Sequence, residues 1–204
     1  MSFYSEHVLP HLINLSMQNR ELKPYRERII SQAVGRVLEI GFGSGLNLPF
    51  YGPRVREILG LEPSVRLTAM AQRAVGQSKA PVTFIASSAE TIPIENGSID
   101  TVVTTWTLCS IPDAARALAE MRRVLKPTGQ LLFVEHGLAP EDHVRKWQHR
   151  LTPMWKRIGG GCHLDRPIGK LIEGTGFRMR ELQTGYMKGP KPLTFMYEGQ
   201  ATPS

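Results

Sequence analysis

Gly41-Phe42-Gly43-Ser44-Gly45 sets three glycines at alternate positions. A backbone without Cβ atoms can turn sharply there and approach a ligand closely. Glu39 stands just before the turn, so a carboxylate is expected at the mouth of whatever site the turn forms. Glu62 follows Gly41 by about twenty residues. That is the spacing at which a carboxylate in a βαβ unit takes the two hydroxyls of a ribose. Together these residues point to capture of a nucleoside-bearing cofactor. A dinucleotide fingerprint needs its third glycine where Leu46 stands, which argues against a nicotinamide enzyme.

Three further groups could do chemistry. His136 ends an apolar run and titrates near neutrality, which makes it the best candidate for a general base. Cys109 also follows an apolar run, and a buried cysteine there reads as packing. Cys162-His163 together with His143 and His149 matches no closed metal spacing, and no metal is expected.

The elements that must position these groups alternate along the chain. Val37 to Ile40 suits a buried strand, and Glu57 to Leu61 a second one. Leu46 to Tyr51 begins the first crossover helix, kept short by Pro49 and Gly52. Ser64 caps a helix bearing Leu67, Met70, Ala71 and Ala74. Strands follow at Val82 to Ala86, Ile99 to Thr105 and Gln130 to Glu135, with a helix capped by Asp113 before the last of these. Alternation of this kind gives a parallel sheet wound on both faces. Phe177 to Thr184 and Leu193 to Gly199 are joined by too short a stretch for a crossover, so they must pair antiparallel. Ahead of the sheet, Phe3, Tyr4, Val8, Leu9, Leu12 and Ile13 supply one helical apolar face, and Pro24 opens a second helix.

The chain of 204 residues suits one domain, with 41% hydrophobic and 21% charged residues. Residues 1–35 form a helical arm, 36–137 the cofactor core, and 138–204 the substrate-side helices and closing hairpin. Two cysteines without a C-x-x-C fit a reduced compartment. The net charge of +7 is concentrated between His143 and Lys191, where eleven Lys or Arg face three acids. Within that segment Val144, Trp147, Leu151, Met154, Trp155 and Ile158 make one helical stripe, which Pro153 must kink or split. Most of that stripe is expected to pack on the sheet. The basic segment, residues 143–191, could also meet an anionic membrane surface. Trp147 and Trp155 lie on the stripe and not among the arginines, so no nucleic-acid partner is expected.

The glycine loop after Glu39, with Glu62 ending the next strand, resembles the first two motifs of the class I S-adenosylmethionine-dependent methyltransferases. The resemblance implies a Rossmann-like α/β fold, a doubly wound and mostly parallel seven-stranded sheet with a C-terminal antiparallel hairpin. It implies S-adenosyl-L-methionine as cofactor. Glu39, Gly41, Gly43 and Gly45 would then meet its methionine part, and Glu62 its ribose. Ser88 and Ala89 match the stretch that meets adenine, with serine where the family usually has aspartate. Thr105 matches the strand end whose carbonyls take the cofactor's ammonium. Trp106 beside it could offer a ring face to the sulfonium, but ordinary core packing is the expectation for it.

A narrower resemblance covers most of the chain. Thr107-Leu108-Cys109-Ser110, Glu135-His136, Trp147-Gln148, Pro153 with Trp155, Gly161-Cys162 and Leu164-Asp165-Arg166 look, in that order, like the thiol S-methyltransferases. This implies methyl transfer to a small acceptor, a thiol by first reading, with His136 as the base. Phospholipid N-methyltransferases and quinone C-methyltransferases are similar through the first five strands, so those acceptors stay open. A nucleic-acid-binding protein on the same fold is the reading from another class. Thiol S-methyltransferases have a hydrophobic N-terminal membrane anchor. Met1 to Asn14 has no such run, and a cytoplasmic location is expected.

Overall fold

The computed structural model describes residues 4–204. Phe3, counted above in the N-terminal apolar face, lies outside the described residues. A π-helical turn at Tyr4–Val8 leads into α1 (Leu9–Met17). A 3₁₀ turn then leads into α2 (Lys23–Ile30), with Pro24 in its first turn. The rest of the chain alternates as expected. β1 (Gly35–Ile40), β2 (Val55–Leu61), α3 (Val65–Ala74), β3 (Val82–Ile85) and β4 (Ile99–Thr105) come first. α4 (Ala114–Val124), β5 (Leu125–His136), α5 (Asp142–Ile158), α6 (Ile168–Gly174), β6 (Phe177–Tyr186), α7 (Lys191–Thr194) and β7 (Phe195–Pro203) complete the chain.

The seven strands form one sheet in the order β3-β2-β1-β4-β5-β7-β6. The first five are parallel, and β7 runs antiparallel between β5 and β6. This is the expected Rossmann-like arrangement with its closing hairpin. β1 pairs with both β2 and β4, so the winding direction reverses beside it. Ligands of open α/β sheets bind at such a switch point. The turn after β1 and the turn after β4 lie side by side there.

Strand alternation sends successive side chains to opposite faces. Leu38 and Ile40 join Val102, Leu131 and Phe133 under α4 and α6. Val37 joins Ile58, Val103, Leu132 and Val134 under Ile29 and Ile30 of α2, with Tyr51. Glu39 shares a face with Val37. It is therefore buried at 1% exposure, and its carboxylate does not stand at an open mouth.

Four local expectations are corrected. The link from β1 to β2 holds only a 3₁₀ turn at Leu48–Phe50, because Pro49 donates no N–H and Gly52 follows at once. β5 starts at Leu125, where Leu125 pairs with Ile99 before the register jumps to Gln130 opposite Thr101. Pro127 and Gly129 sit inside that jump. Pro153 neither splits nor ends α5, which runs unbroken over 17 residues. The predicted stripe on α5 also divides. Val144, Gln148 and Thr152 are buried, whereas Trp147, Met154 and Ile158 are exposed. Gln148 is the reason: its side chain accepts from Ala139 N (2.9 Å) and donates to Gly137 O (2.9 Å) and Pro192 O (3.2 Å). A fully bonded glutamine can be buried, and here it turns the helix by one position. No helix among the described residues is long and apolar enough to cross a membrane.

Candidate active site

A cavity of about 830 Å³ opens at the carboxyl ends of β1, β2, β4 and β5. The glycine turn forms one wall. Gly41, Gly43 and Gly45 all have positive φ, at 67°, 58° and 81°. Their surroundings differ. A Cβ on Gly41 would lie 2.3 Å from Thr107 Oγ1, so this glycine lets the β1 and β4 turns touch. A Cβ on Gly43 would meet nothing nearer than Gly41 O at 3.8 Å, so that side of the turn faces the cavity. Glu62, at the end of β2, accepts from Gly43 N (3.0 Å) and Ser64 N (2.9 Å). Burial raises its carboxyl, and those two N–H groups pull the other way.

Behind the turn lies a polar network that the motifs did not reveal. Glu39 accepts from Asn47 Nδ2 (2.8 Å) and from the Tyr51 hydroxyl (2.6 Å). Asn47 Nδ2 also donates to Thr105 Oγ1 (3.0 Å), and Asn47 Oδ1 accepts from Arg26 Nε (3.0 Å). Burial pushes the Glu39 carboxyl up to about 7, against the bonds from Tyr51 and Asn47. Arg26 is itself buried and lies over the Trp106 ring, 4.7 Å from its centroid. Trp106 is the one described non-glycine residue with positive φ, at 50°. Strain of this kind persists only where neighbours overdetermine the backbone. Glu135 supplies that constraint by accepting from Thr104 Oγ1 (2.8 Å), Thr107 N (3.1 Å) and Leu108 N (3.2 Å). The Thr105 carbonyl accepts from Thr107 Oγ1 (2.9 Å). Ala89 is buried on the cavity wall, and Ser88 lies exposed at its edge, bonded to Glu90 (3.1 Å).

The far end of the cavity is built by the second half of the chain and the N-terminal arm. Leu9, Pro10 and Ile13 line it beside Ile158, Leu164 and Leu193. The arm is tied down by Ser44 Oγ to Asn14 Oδ1 (2.6 Å) and by the Tyr4 hydroxyl to Ile158 O (2.8 Å). Cys109, His136 and Cys162 stand on this wall. His136 Nε2 is 3.0 Å from Cys162 Sγ. The three candidate ligand atoms all lie within 4.8 Å of one another. Cys109 packs as expected, in a small apolar cluster with Cys162 and Leu164. Of the histidines weighed with Cys162 in the sequence, His149 Nδ1 is 2.7 Å from Asp165 Oδ2, His143 is exposed, and His163 Nδ1 lies 3.1 Å from the Cys109 carbonyl oxygen. Neither Cys109 nor His136 is near Cys162 in sequence, so spacing could not reveal the cluster.

The methyltransferase domain family matches residues 38–133, which span the glycine turn, Glu62 and β4. The thiol S-methyltransferase TMT1B of Homo sapiens is 32% identical over 193 residues, covering 89% of this chain and 77% of that protein. The chain belongs to the class I S-adenosylmethionine-dependent methyltransferases. The human thiol S-methyltransferase TMT1A is also 32% identical, over 151 residues, or 72% of this chain and 62% of its own length. A crystal structure of a methyltransferase from Aquifex aeolicus shares the fold. Its TM-score is 0.67 at 16% identity, covering 96% of this chain and 98% of that one. As in other methyltransferases of this class, the cofactor is S-adenosylmethionine. The structure fits it: the open side of Gly43, the end of β2 and the buried Ala89 all border one cavity.

Proposed function

We propose that this methyltransferase acts on a small apolar thiol. One observation carries the reading: His136, a group that can take a proton, stands at the end of β5 on a stretch of cavity wall otherwise built from apolar and cysteine side chains, among them Leu9, Ile13, Leu164 and Cys162. The names of the TMT1 relatives support it. When bound, S-adenosylmethionine supplies an electrophilic methyl group on a sulfonium. The turn from Gly41 to Gly45 would hold its methionine part, with Glu39 and Asn47 fixing the turn from behind. Glu62 would take the ribose hydroxyls, and Ser88 and Ala89 the adenine edge. The carbonyl of Thr105, which has a second lone pair beyond its bond to Thr107, would take the ammonium. One face of Trp106 is occupied by Arg26, so its role is to set the β4 turn.

A thiol has a free pKa of about 8.5, and only its thiolate is a strong nucleophile. His136 is the residue we assign to ionising it. The arm adds Leu9 and Ile13 to the apolar wall at that end.

Two expected results follow for the two halves of the cavity. Glu62→Ala should weaken S-adenosylmethionine binding by about 1.5–3 kcal/mol, the scale of hydrogen bonds to a charged group. Calorimetry on the folded variant measures this, and an unchanged affinity would remove Glu62 from the cofactor site. On the acceptor side, KM for straight-chain thiols should fall roughly fourfold per added methylene, since each buried CH₂ contributes about 0.8 kcal/mol. Alcohols of equal length should accept no methyl group. A flat series, or transfer to the alcohols, would mean that the apolar wall does not read the acceptor.

A further inference from the structure

We infer that Cys109, His136 and Cys162 are protein ligands of an open zinc site whose fourth position faces the acceptor. This rests on the thiol reading above and states how His136 ionises the acceptor: as a ligand, beside two cysteines.

The three ligands come from three separate elements. Cys109 is in the turn after β4, His136 ends β5, and Cys162 follows α5. A tetrahedral zinc has Zn–S near 2.3 Å and Zn–N near 2.0 Å, so its ligand atoms sit roughly 3.5–3.8 Å apart. A cluster whose ligand atoms all fall within 4.8 Å needs only small side-chain adjustments to reach that spacing. Two cysteines and one histidine with an open fourth position are a known catalytic zinc set. Two thiolates cancel the charge of Zn²⁺, which suits ligands that are buried or half-buried.

The backbone around the ligands is braced. Cys109 O accepts from His163 N (2.8 Å), which ties the two cysteine loops together. Arg166 donates to Leu108 O and to Pro112 O, clamping the loop on both sides of Cys109. Gly160 and Gly161 take positive φ, and Cys162 N donates to Gly159 O (3.2 Å), which turns Cys162 back toward the sheet. All three ligands line the cavity, so the open side of the set is the acceptor side. There an incoming R–SH displaces a zinc-bound water. The Zn–O bond breaks, a Zn–S bond forms, and the thiol proton leaves to solvent. Thiols coordinated to zinc are deprotonated outright.

The test uses the full chain, stripped with a chelator and titrated with Co²⁺ as a spectroscopic probe of the zinc site. The expected result is stoichiometric uptake with thiolate-to-cobalt charge-transfer absorption. That absorption should change when an alkyl thiol is added, but not with the matching alcohol. Cys109→Ser, Cys162→Ser and His136→Gln should each weaken uptake by 100-fold or more, on the view that losing a ligand costs at least the ~10–100-fold of losing its supporting partner. His136→Cys should keep the site and intensify the charge-transfer band, which distinguishes ligand loss from misfolding. A folded protein that binds S-adenosylmethionine but shows no such band overturns the site. Full-rate thiol methylation by the metal-free protein also overturns it, and leaves the thiol reading intact. A cobalt site that ignores thiols, in an enzyme that methylates another acceptor, overturns the thiol reading and with it the fourth-position assignment.

Discussion

Gly43→Val is expected to bind no S-adenosylmethionine while melting as cooperatively as the parent chain. The reason lies in the difference between neighbouring glycines. At Gly43 an added Cβ points into the cavity and meets only Gly41 O, at 3.8 Å. The ligand-free fold therefore has room for the side chain. The left-handed backbone at φ 58° costs a non-glycine residue roughly 1–2 kcal/mol, against a typical stability of about 5–15 kcal/mol. Cofactor binding has no such tolerance, because valine would fill the space the ligand needs. Gly41→Val is the contrasting variant. Its Cβ would overlap Thr107 Oγ1 at 2.3 Å, so the fold itself should weaken. Calorimetry with S-adenosylmethionine and thermal melting of both variants separate the two effects. Normal binding by Gly43→Val would reduce the loop to a plain turn.

The second large effect belongs to His136. His136→Gln should slow single-turnover methylation of an alkyl thiol by about 10²–10⁴-fold near neutral pH, the span associated with ionising a nucleophile. The loss should shrink as pH approaches the free thiol's pKa of about 8.5, because solution then supplies thiolate directly. Affinity for S-adenosylmethionine should be unchanged, since His136 lies at the other end of the cavity from Glu62. A variant with the parent rate at every pH would leave alignment as the whole mechanism.

Local pattern carried much of this account. Val37 to Gly45 and Glu62 announced a strand, a turn and an acid ending the next strand, and all three lie there, although the link between the two strands is a 3₁₀ turn and not a helix. Asp113 and Ser64 marked helix starts correctly because a cap is a contact between near neighbours: Asp113 Oδ1 accepts from Arg116 N (3.0 Å) and Ser64 Oγ from Leu67 N (3.4 Å). What escaped the sequence depends on distant partners. Arg26 is buried because it meets Asn47 and Trp106, and neither is its neighbour along the chain. Gln148 broke the apolar reading of α5, since hydrophobic periodicity cannot foresee a glutamine whose bonds are all satisfied by Gly137, Ala139 and Pro192. The cluster of Cys109, His136 and Cys162 was invisible for the same reason. Only the closing of β4, β5 and the loop after α5 onto one wall brings it together.

In the proposed function the methyl group leaves S-adenosylmethionine for sulfur. The most direct measurement incubates the chain with methyl-labelled S-adenosylmethionine and, in parallel, an alkyl thiol, phospholipid vesicles and a quinone precursor, and identifies the labelled product by mass. The expected result is a labelled thioether from the thiol and no labelled lipid or quinone. Label on a lipid amine or a quinone carbon, with none on the thiol in protein that binds the cofactor, would contradict it.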